Sequence, residues 1–538
     1  MGDPRPVVLR GRVAAPGYAA GWAVRLHDGG TEDRVPGTQA EEIEALRAAI
    51  AAAGLALAGL ASTQDDEEAV AILEFQIALL EDYELTGPVF DAVAAGRPAD
   101  RAWNDRLDAE IAGYRAAEDD YFRARSADLD DLRVRVLRHL AGARHDPTDL
   151  PADAVVVARD LPPSRFLEIP WRIGQGIVLA EGSHTGHAAI LARARGIPML
   201  VGVAVDRVPE GVEVLLDAEA GTVVVGPDSS ARSRFASLRA HRTEEEREAR
   251  TLALEPASTR TGEPVSILLN IAGPDDLNGL DPRLADGIGL VRTEFLAQGR
   301  TLATLPDEEA QFDAYSRILE WADGRPVTIR TLDAGGDKPI PGYTPDRETN
   351  PFLGLRGVRL SLAHPEVFRV QLRALLRAAA LGPLQVMIPM VTVPAELDAC
   401  RRLLEEEAQA LDRAGVPRGQ PRLGMMVEVP AAALALDLFD ADFVSIGSND
   451  LVQYLMAAGR DTAAVADLAD PLAPAVLRLI RIVAEAADEL EVPLSLCGDA
   501  GGDPTAIPAL LEAGLRSFSM GAASVPRAKA AVRAWGGR

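Results

Sequence analysis

A multidomain α/β protein that ends in a closed (β/α)8 TIM-type barrel is the fold this sequence predicts, and three observations predict it. Eight short apolar runs in the second half of the chain each end on a polar cluster. Amphipathic stretches with helical period, such as EVFRVQLRALLRAAA and APAVLRLIRIVAEAADEL, separate several of them. The alternation continues for about 260 residues, the length that such a barrel takes.

A chain of 538 residues is too long for one core and implies roughly two to four domains. Residues 1–33 read as short strands and turns, as in VVLRGRVAAPGYAAGWAVRL. From Thr38 to Ala143 the period becomes helical, through EEIEALRAAIAAAGLALAGLAS, EEAVAILEFQIALLEDYEL and AEIAGYRAAEDDYFRARSADLDDLRVRVLRHLAG, with Pro and Gly sparse inside the stretches. Strand character then returns in GIVLAEG, GIPMLVG and EVLLDAEAGTVVVG. Residues 1–33 and 147–228 are therefore expected to form one α/β domain, interrupted by an all-helical insert at 34–146. SRFASLRAHRTEEEREARTLALE, free of Gly and Pro, predicts a charged linker helix within 229–258, ahead of a barrel over 259–538.

The barrel strands are expected at VSILLNIA from Val265, GIGLVRTEF from Gly287, VTIRTLD from Val327, LQVMIPMV from Leu384, LGMMVEVP from Leu423, DFVSIGSND from Asp442, VPLSLCGD from Val492 and RSFSMGAA from Arg516. Catalytic groups in this fold sit at the carboxyl ends of the strands. Those ends carry Arg292, Arg330, Glu428, Asn449, Asp450 and Cys497. Taken singly, each has a plainer use: an arginine as a rim ion pair, a carboxylate as a structural partner, a cysteine as a small hydrophobe.

Composition narrows the function. With 48% hydrophobic and 25% charged residues the chain is ordinary for a globular protein, and no uninterrupted apolar run of membrane-spanning length is expected. The opening MGDPRPVVLRG lacks the apolar core of a secretory signal, and two cysteines make no disulfide framework, so a cytoplasmic setting is expected. A formal charge of -26 argues against a nucleic-acid partner. It suits solubility, or a basic protein partner.

In GSHTGHAAILARARGIP, turn residues precede His187 and an apolar helix that Gly196 and Pro198 close. Free N–H groups and the positive helix end suit a phosphoryl group there, and a neutral imidazole is a competent nucleophile. A capping or packing histidine would look the same, so spacing alone leaves the role open.

These motifs, with ARARGIPMLVG, ARDLPPS, LLEDYEL and ADLDDLRVRVL, carry a resemblance over nearly the whole chain. The sequence resembles enzyme I of the bacterial sugar phosphotransferase system, the phosphoenolpyruvate-protein phosphotransferases. The resemblance implies phosphoryl transfer from phosphoenolpyruvate to His187, on a domain that swivels, and then to a histidine of the phosphocarrier protein HPr, docked on the helical insert. It implies that Arg292, Arg330 and Arg460 bind the substrate, that Asn449 and Asp450 contact it, that Glu428 and Asp450 hold Mg2+, and that Cys497 protonates the enolate carbon. It also implies a homodimer formed through the barrel, with no direct membrane insertion.

Ser183, His184 and Gly186 depart from the family pattern GGRTSH around His187, and Gly459 and Asp499 stand where the family commonly has aspartate and glutamate. Two alternatives accompany this reading. A phosphoenolpyruvate synthase or pyruvate-phosphate dikinase would share the histidine and the barrel but requires an ATP-binding domain, and no nucleotide loop precedes His187. A non-catalytic phosphoenolpyruvate sensor would keep the barrel mouth without turnover.

Overall fold

The computed structural model describes residues 6–26, 34–63, 67–116, 120–142, 150–182, 187–297, 299–336, 338–345, 348–459, 465 and 468–537. The chain divides into two compact units, Met1–Arg242 and Thr243–Arg538.

The first unit is built on an eight-stranded mixed sheet. Its strands are β1 (Val7–Arg10), β2 (Arg12–Ala15), β3 (Tyr18–Arg25), β4 (Ala154–Ala158), β5 (Gly176–Leu179), β6 (Met199–Val201), β7 (Glu213–Asp217) and β8 (Thr222–Val225), in the order β1-β8-β7-β3-β4-β5-β6-β2. β3 to β6 run parallel and the remaining pairings are antiparallel. β4 and β5 are buried throughout, as strands covered on both faces must be. Alternation assigns the faces: Ile177 and Leu179 belong to one core, while Val178, with Val155 and Val157, belongs to the other.

The crossover from β3 to β4 holds five helices, α1 (Gln39–Ala61), α2 (Glu67–Glu81), α3 (Tyr83–Ala94), α4 (Ala99–Ala116) and α5 (Asp120–Leu140). Their core, centred on Leu46, Leu57, Trp103 and Leu132, is continuous with the sheet face carrying Ile177 and Leu179. Thr38 and Glu41 close a capping box at the start of α1. LLEDYEL was expected inside one helix, but the chain breaks there, because Asp82 accepts the Glu84 N–H and caps α3. A second departure is that α1 is long and apolar enough by length and composition to cross a bilayer. Its alanines raise the mean hydropathy, while the buried stripe Leu46, Ala49, Ala53 and Leu57 has the spacing of a bundle helix.

After α6 (Pro163–Glu168), α7 (His187–Ala194) begins at His187. It ends as its sequence predicts, with Gly196 at φ +65° and the Ile197 N–H reaching back to the Ala192 carbonyl. α8 (Ser229–Thr251) spans the boundary between the units, ending short of the expected residue 258.

The second unit is a closed barrel of eight parallel strands: β9 (Ser266–Ile271), β10 (Ile288–Arg292), β11 (Val327–Arg330), β12 (Leu384–Ile388), β13 (Arg422–Val427), β14 (Val444–Ile446), β15 (Leu494–Leu496) and β16 (Ser517–Met520). Seven strands fall inside the predicted runs, and β13 begins one residue ahead of its run, at Arg422. The outward residues Ile267, Leu269 and Ile271 of β9 pack under the surrounding helices, while Ser266, Leu268 and Asn270 alternate with them. Those helices are α9 (Glu308–Ala322), α10 (Val358–Ala363), α11 (Pro365–Ala378), α12 (Pro394–Ala414), α13 (Pro430–Leu434), α14 (Ser448–Met456), α15 (Pro474–Glu489), α16 (Ile507–Glu512) and α17 (Val525–Ala534).

Strict alternation fails once: β9 and β10 are joined by two 3-10 turns, Pro274–Leu277 and Pro282–Leu284, where Gly273, Gly279 and the two prolines punctuate the chain too closely for an α-helix. Lys529 of α17 is buried, and its ammonium donates to the carbonyls of Ala253 (2.7 Å) and Glu255 (3.0 Å). This anchors the segment after α8 to the last helix.

Gly21 tests the N-terminal sheet. A Cβ there would lie 1.5 Å from the Asp153 carbonyl oxygen, a backbone atom with nowhere to retreat. Gly21→Ala is expected to lower stability by about 1–3 kcal/mol, read as an earlier urea transition of the tryptophan signal, whereas a wild-type midpoint would show that the strands separate freely.

Candidate active site

The residues that the sequence places at strand ends converge on one mouth of the barrel. Arg330 closes β11 and is buried. Its guanidinium donates to Glu294 Oε1 at 2.9 Å and lies 3.5 Å from Asp333 Oδ2. Glu294 Oε1 also accepts the Asp333 N–H at 2.8 Å. Asp333 in turn takes two bonds from Arg356, both 3.0 Å, and Arg356 holds Asp450 through two more, at 3.1 and 3.0 Å. Lys338 stands 3.6 Å from Asp333. The result is a buried chain of alternating charges running from β10 through the loop after β11 to the start of α14.

Burial alone would drive Arg330, Asp333 and Arg356 neutral, but each faces opposite charge. Burial disfavours the charge of Asp333, yet Arg330, Arg356 and Lys338 hold its carboxyl well below the usual range. The same reciprocity keeps Arg330 and Arg356 protonated against their burial.

Glu428 follows β13 and is 1% exposed. One oxygen accepts the Met390 N–H at 2.6 Å, and Met390 adopts φ +59° in doing so. No lysine or arginine lies within ion-pair distance of Glu428 among the described residues. Burial, then Asp450 and Asp333, push its carboxyl up to about 8. Arg292, at the end of β10, is half-buried and has no ion-pair partner among the described residues. Among the described residues the mouth therefore presents one guanidinium and one carboxyl without an ion-pair partner.

Asn449 and Asp499 exchange two bonds: the Asn449 amide donates to Asp499 Oδ2 at 3.0 Å, and the Asp499 N–H donates to Asn449 Oδ1 at 3.0 Å. The shorter aspartate thus closes the pair. Cys497 is buried beside Leu290, Met387, Met426 and Phe443. Burial pushes its thiol up, while a Ser445 hydrogen bond and the charges of Arg330 and Arg292 oppose the shift. Gly498 permits the strand to pass α14, since a Cβ there would meet Ser448 Oγ at 1.8 Å.

His187 stands at the first residue of α7 in the N-terminal unit. Ser183, His184, Gly186 and Arg460 lie outside the described residues. The expectations from sequence did not include Glu294, Asp333 or Arg356. Glu294 and Asp333 sit inside quoted motifs, two residues past Arg292 and three past Arg330. Arg356, in GLRGVR, follows no strand and is brought in by a loop. Gly357 at φ +58° lets that loop approach, because a Cβ there would lie 2.8 Å from Met390 Cβ.

The arrangement can neutralise a compact polyanion at the mouth, shield it from water and keep a protonated thiol nearby. The donor set also suits a hard divalent cation. Glu428 and Asp450 carry hard oxygen donors, and the Glu428 carboxyl, which burial and the neighbouring Asp450 and Asp333 hold protonated up to about 8, would ionise beside a cation. No cluster of three or more His, Cys, Asp or Glu able to hold a metal occurs among the described residues. An ion that keeps waters and takes oxygens from its substrate needs only two carboxylates.

Three family models match the chain: "PEP-utilising enzyme, PEP-binding domain" over 246–535, "PEP-utilising enzyme, N-terminal" over 10–125 and "PEP-utilising enzyme, mobile domain" over 150–221. A phosphoenolpyruvate-protein phosphotransferase of Geobacillus stearothermophilus is 38% identical over 541 residues, covering 98% of this chain and 93% of the relative. The chain belongs to the phosphoenolpyruvate-protein phosphotransferase family. Its members are enzymes, and the family relationship does not favour either alternative raised from the sequence. The protein of that name from Bacillus subtilis (strain 168) is 37% identical over 468 residues, covering 86% of this chain and 82% of its own. A solved Enzyme I structure covers 44% of this chain and 99% of its own, at 26% identity and a TM-score of 0.36. The PEP-utilising family is generally metal-dependent.

Glu428 yields a test of the charge imbalance. Its folded value of about 8 exceeds the ordinary 4.5. Between those limits the folded protein keeps a proton that the unfolded chain has released, so this group lowers stability as pH rises through the window. In buffer stripped of divalent cations, Glu428→Gln is expected to melt above wild type near pH 8, with the gap shrinking towards pH 4.5. Added Mg2+ should raise the wild-type melting temperature and leave the variant unmoved; a constant gap at every pH would reject the uncompensated charge.

Proposed function

We propose that this enzyme transfers the phosphoryl group of phosphoenolpyruvate to His187 and then to a histidine of HPr, opening a sugar phosphotransferase cascade in the cytoplasm. The observation that carries the reading is the imbalance at the barrel mouth: the free guanidinium of Arg292 stands ready for an anionic oxygen, while Glu428 lacks a cation. Phosphoenolpyruvate brings a phosphate and a carboxylate, and its transfer depends chiefly on positioning and electrostatic stabilisation.

Arg292, Arg330 and Arg460 take the phosphate oxygens, with Arg330 braced by Glu294 and Asp333. Asn449, oriented by Asp499, and Asp450, oriented by Arg356, contact the substrate. Glu428 and Asp450 would hold Mg2+, which when bound supplies positive charge beside the substrate oxygens. As the P–O bond to the enol oxygen breaks and the N–P bond to the His187 imidazole forms, the Cys497 thiol passes its proton to C3, completing pyruvate. Burial keeps that thiol protonated until it is needed.

The N-terminal unit carries His187 between two substrates, so the reading requires it to swing towards the barrel and away. Its helical insert is the proposed HPr dock. Tyr83 is 77% exposed there, within the acidic run EDYEL, a surface suited to a partner with basic residues around its own histidine. The barrel is the proposed homodimer interface.

His187→Ala is expected to abolish acid-labile label from phosphoenolpyruvate while leaving its equilibrium binding intact, since nucleophile and binding site lie in different units. Stable labelling elsewhere, with His184 the first position to map, would overturn the assignment.

Replacing residues 38–141 with a flexible linker of about a dozen or more residues, the span a parallel β3–β4 crossover needs, separates the two transfers. Self-phosphorylation should persist and transfer to HPr should vanish. Full transfer to HPr would place the dock outside the insert.

A further inference from the structure

A cavity of about 450 Å3 opens beside the barrel mouth, between the loops after β10 and β11 and the first turns of α9 and α11. Its volume falls in the range, roughly 300–1,000 Å3, in which proteins hold small ligands. Leu296, Leu305, Leu332, Tyr343, Val367 and Phe368 give it an apolar, partly aromatic wall. None of these side chains takes part in the transfer chemistry.

The polar groups at the inner wall are already committed to one another. Gln371, 7% exposed, accepts the Leu332 N–H at 3.0 Å and donates to Thr293 Oγ at 3.3 Å and to the Tyr315 hydroxyl at 3.2 Å. Thr293 Oγ in turn donates to the Arg330 carbonyl at 2.9 Å. Gln371 thus lines the cavity and ties Thr293, the residue between Arg292 and Glu294, to Leu332, the residue before Asp333. With these groups satisfied, apolar burial dominates what a ligand gains at this wall.

Charge sets the chemistry at the opening. Arg369, Arg373 and Arg377 pair with Glu308, Glu309, Glu406 and Glu407, so carboxylates outnumber guanidiniums. Asp307 and Glu366, both exposed, add two more carboxylates where the cavity meets solvent. His364, 3.4 Å from Glu366, adds positive charge only when protonated. The starts of α9 and α11 offset about half a charge each. The opening stays negative.

We propose that this cavity binds a small aromatic amine, its ring against the apolar wall and its ammonium among the carboxylates of the opening, and that the bound amine tightens phosphoenolpyruvate binding. The cavity is formed with the Gln371 bridge and the charge network both intact. A ligand that fits it as it stands therefore favours that arrangement over looser ones. Gln371 acts as a positioning residue, holding the segments that carry Arg292, Glu294 and Asp333. The coupling, though not the amine site, rests on the reading of the mouth as the phosphoenolpyruvate site.

Tryptamine is the probe, titrated calorimetrically into full-length protein, and one molecule should bind per chain. Val370→Phe, which fills the cavity from a half-buried position on α11, should abolish binding. Glu366→Gln, at an exposed position that folding does not depend on, should weaken it by about two- to fivefold, the effect of a partly exposed charge pair. Indole-3-propionate, with a carboxylate in place of the ammonium, should bind at least about tenfold more weakly; equal binding would overturn the amine assignment. No tryptamine binding, or binding that both variants leave intact, would overturn the site. So would binding confined to protein diluted to monomers, which would show a second copy filling the cavity. In His187→Ala protein, which does not consume the substrate, saturating tryptamine should lower the Kd of phosphoenolpyruvate by about fivefold or more, and phosphoenolpyruvate should lower that of tryptamine by the same factor. Gln371→Met should keep the amine and lose this reciprocity. Tryptamine binding beside an unchanged or raised Kd for phosphoenolpyruvate would overturn the coupling. Arg292→Ala separates the underlying reading: phosphoenolpyruvate affinity that it leaves unmoved refutes the mouth as the substrate site and leaves the amine site standing.

Discussion

The barrel mouth depends on one buried run of charge, Glu294–Arg330–Asp333–Arg356–Asp450. Five ionisable groups with almost no access to water are tolerable only because each meets a partner of opposite type. Removing one partner would strand the next, a loss of about 3–5 kcal/mol for a broken buried pair. The chain links the end of β10, the end of β11, the loop after β11 and the first turn of α14. Four segments are thereby held in one geometry.

That network also explains where charge remains unspent. Asp450 is held on both oxygens by Arg356, and Arg330 is held by Glu294, so neither is free to move towards the groups beside it. Arg292 and Glu428 lie at the margins of the network and have no ion-pair partner among the described residues, and Glu428 holds its proton up to about 8. A rigid paired interior with unpaired groups at its edge suits transition-state stabilisation, because the fixed dipoles do not reorganise as charge shifts. Close packing supports this: Gly498 brings β15 against Ser448, and Gly357 brings the Arg356 loop against Met390.

The N-terminal unit follows another logic. Its sheet is covered on both faces, and the helical insert shares its core with one of them. His187 stands at the first residue of α7. His187 and the charge network thus sit in separate compact units, each with its own core.

Much of this was legible in the sequence. The eight barrel strands were readable because each is a short apolar run, buried on both faces, that ends on a polar cluster and is set off by helical stretches, and Arg292, Arg330, Glu428, Asp450 and Cys497 were readable because strand ends mark the mouth of such a barrel. The interruption of the first sheet showed as a change of period from two to 3.6. Local sequence fell short wherever partners come from distant segments. Arg356 lies in a loop with no periodic signal, and its role exists only because folding sets Asp333 and Asp450 on either side of it. The break at Asp82 and the missing helix between β9 and β10 turned on single capping and turn residues that periodicity averages away. The sequence by itself determined which faces are buried and which ends of the strands are polar, since both follow from residue spacing. Which charges are paired and which stay free was decided only by the tertiary structure, because ion pairing depends on distances of a few ångströms between residues far apart in the chain.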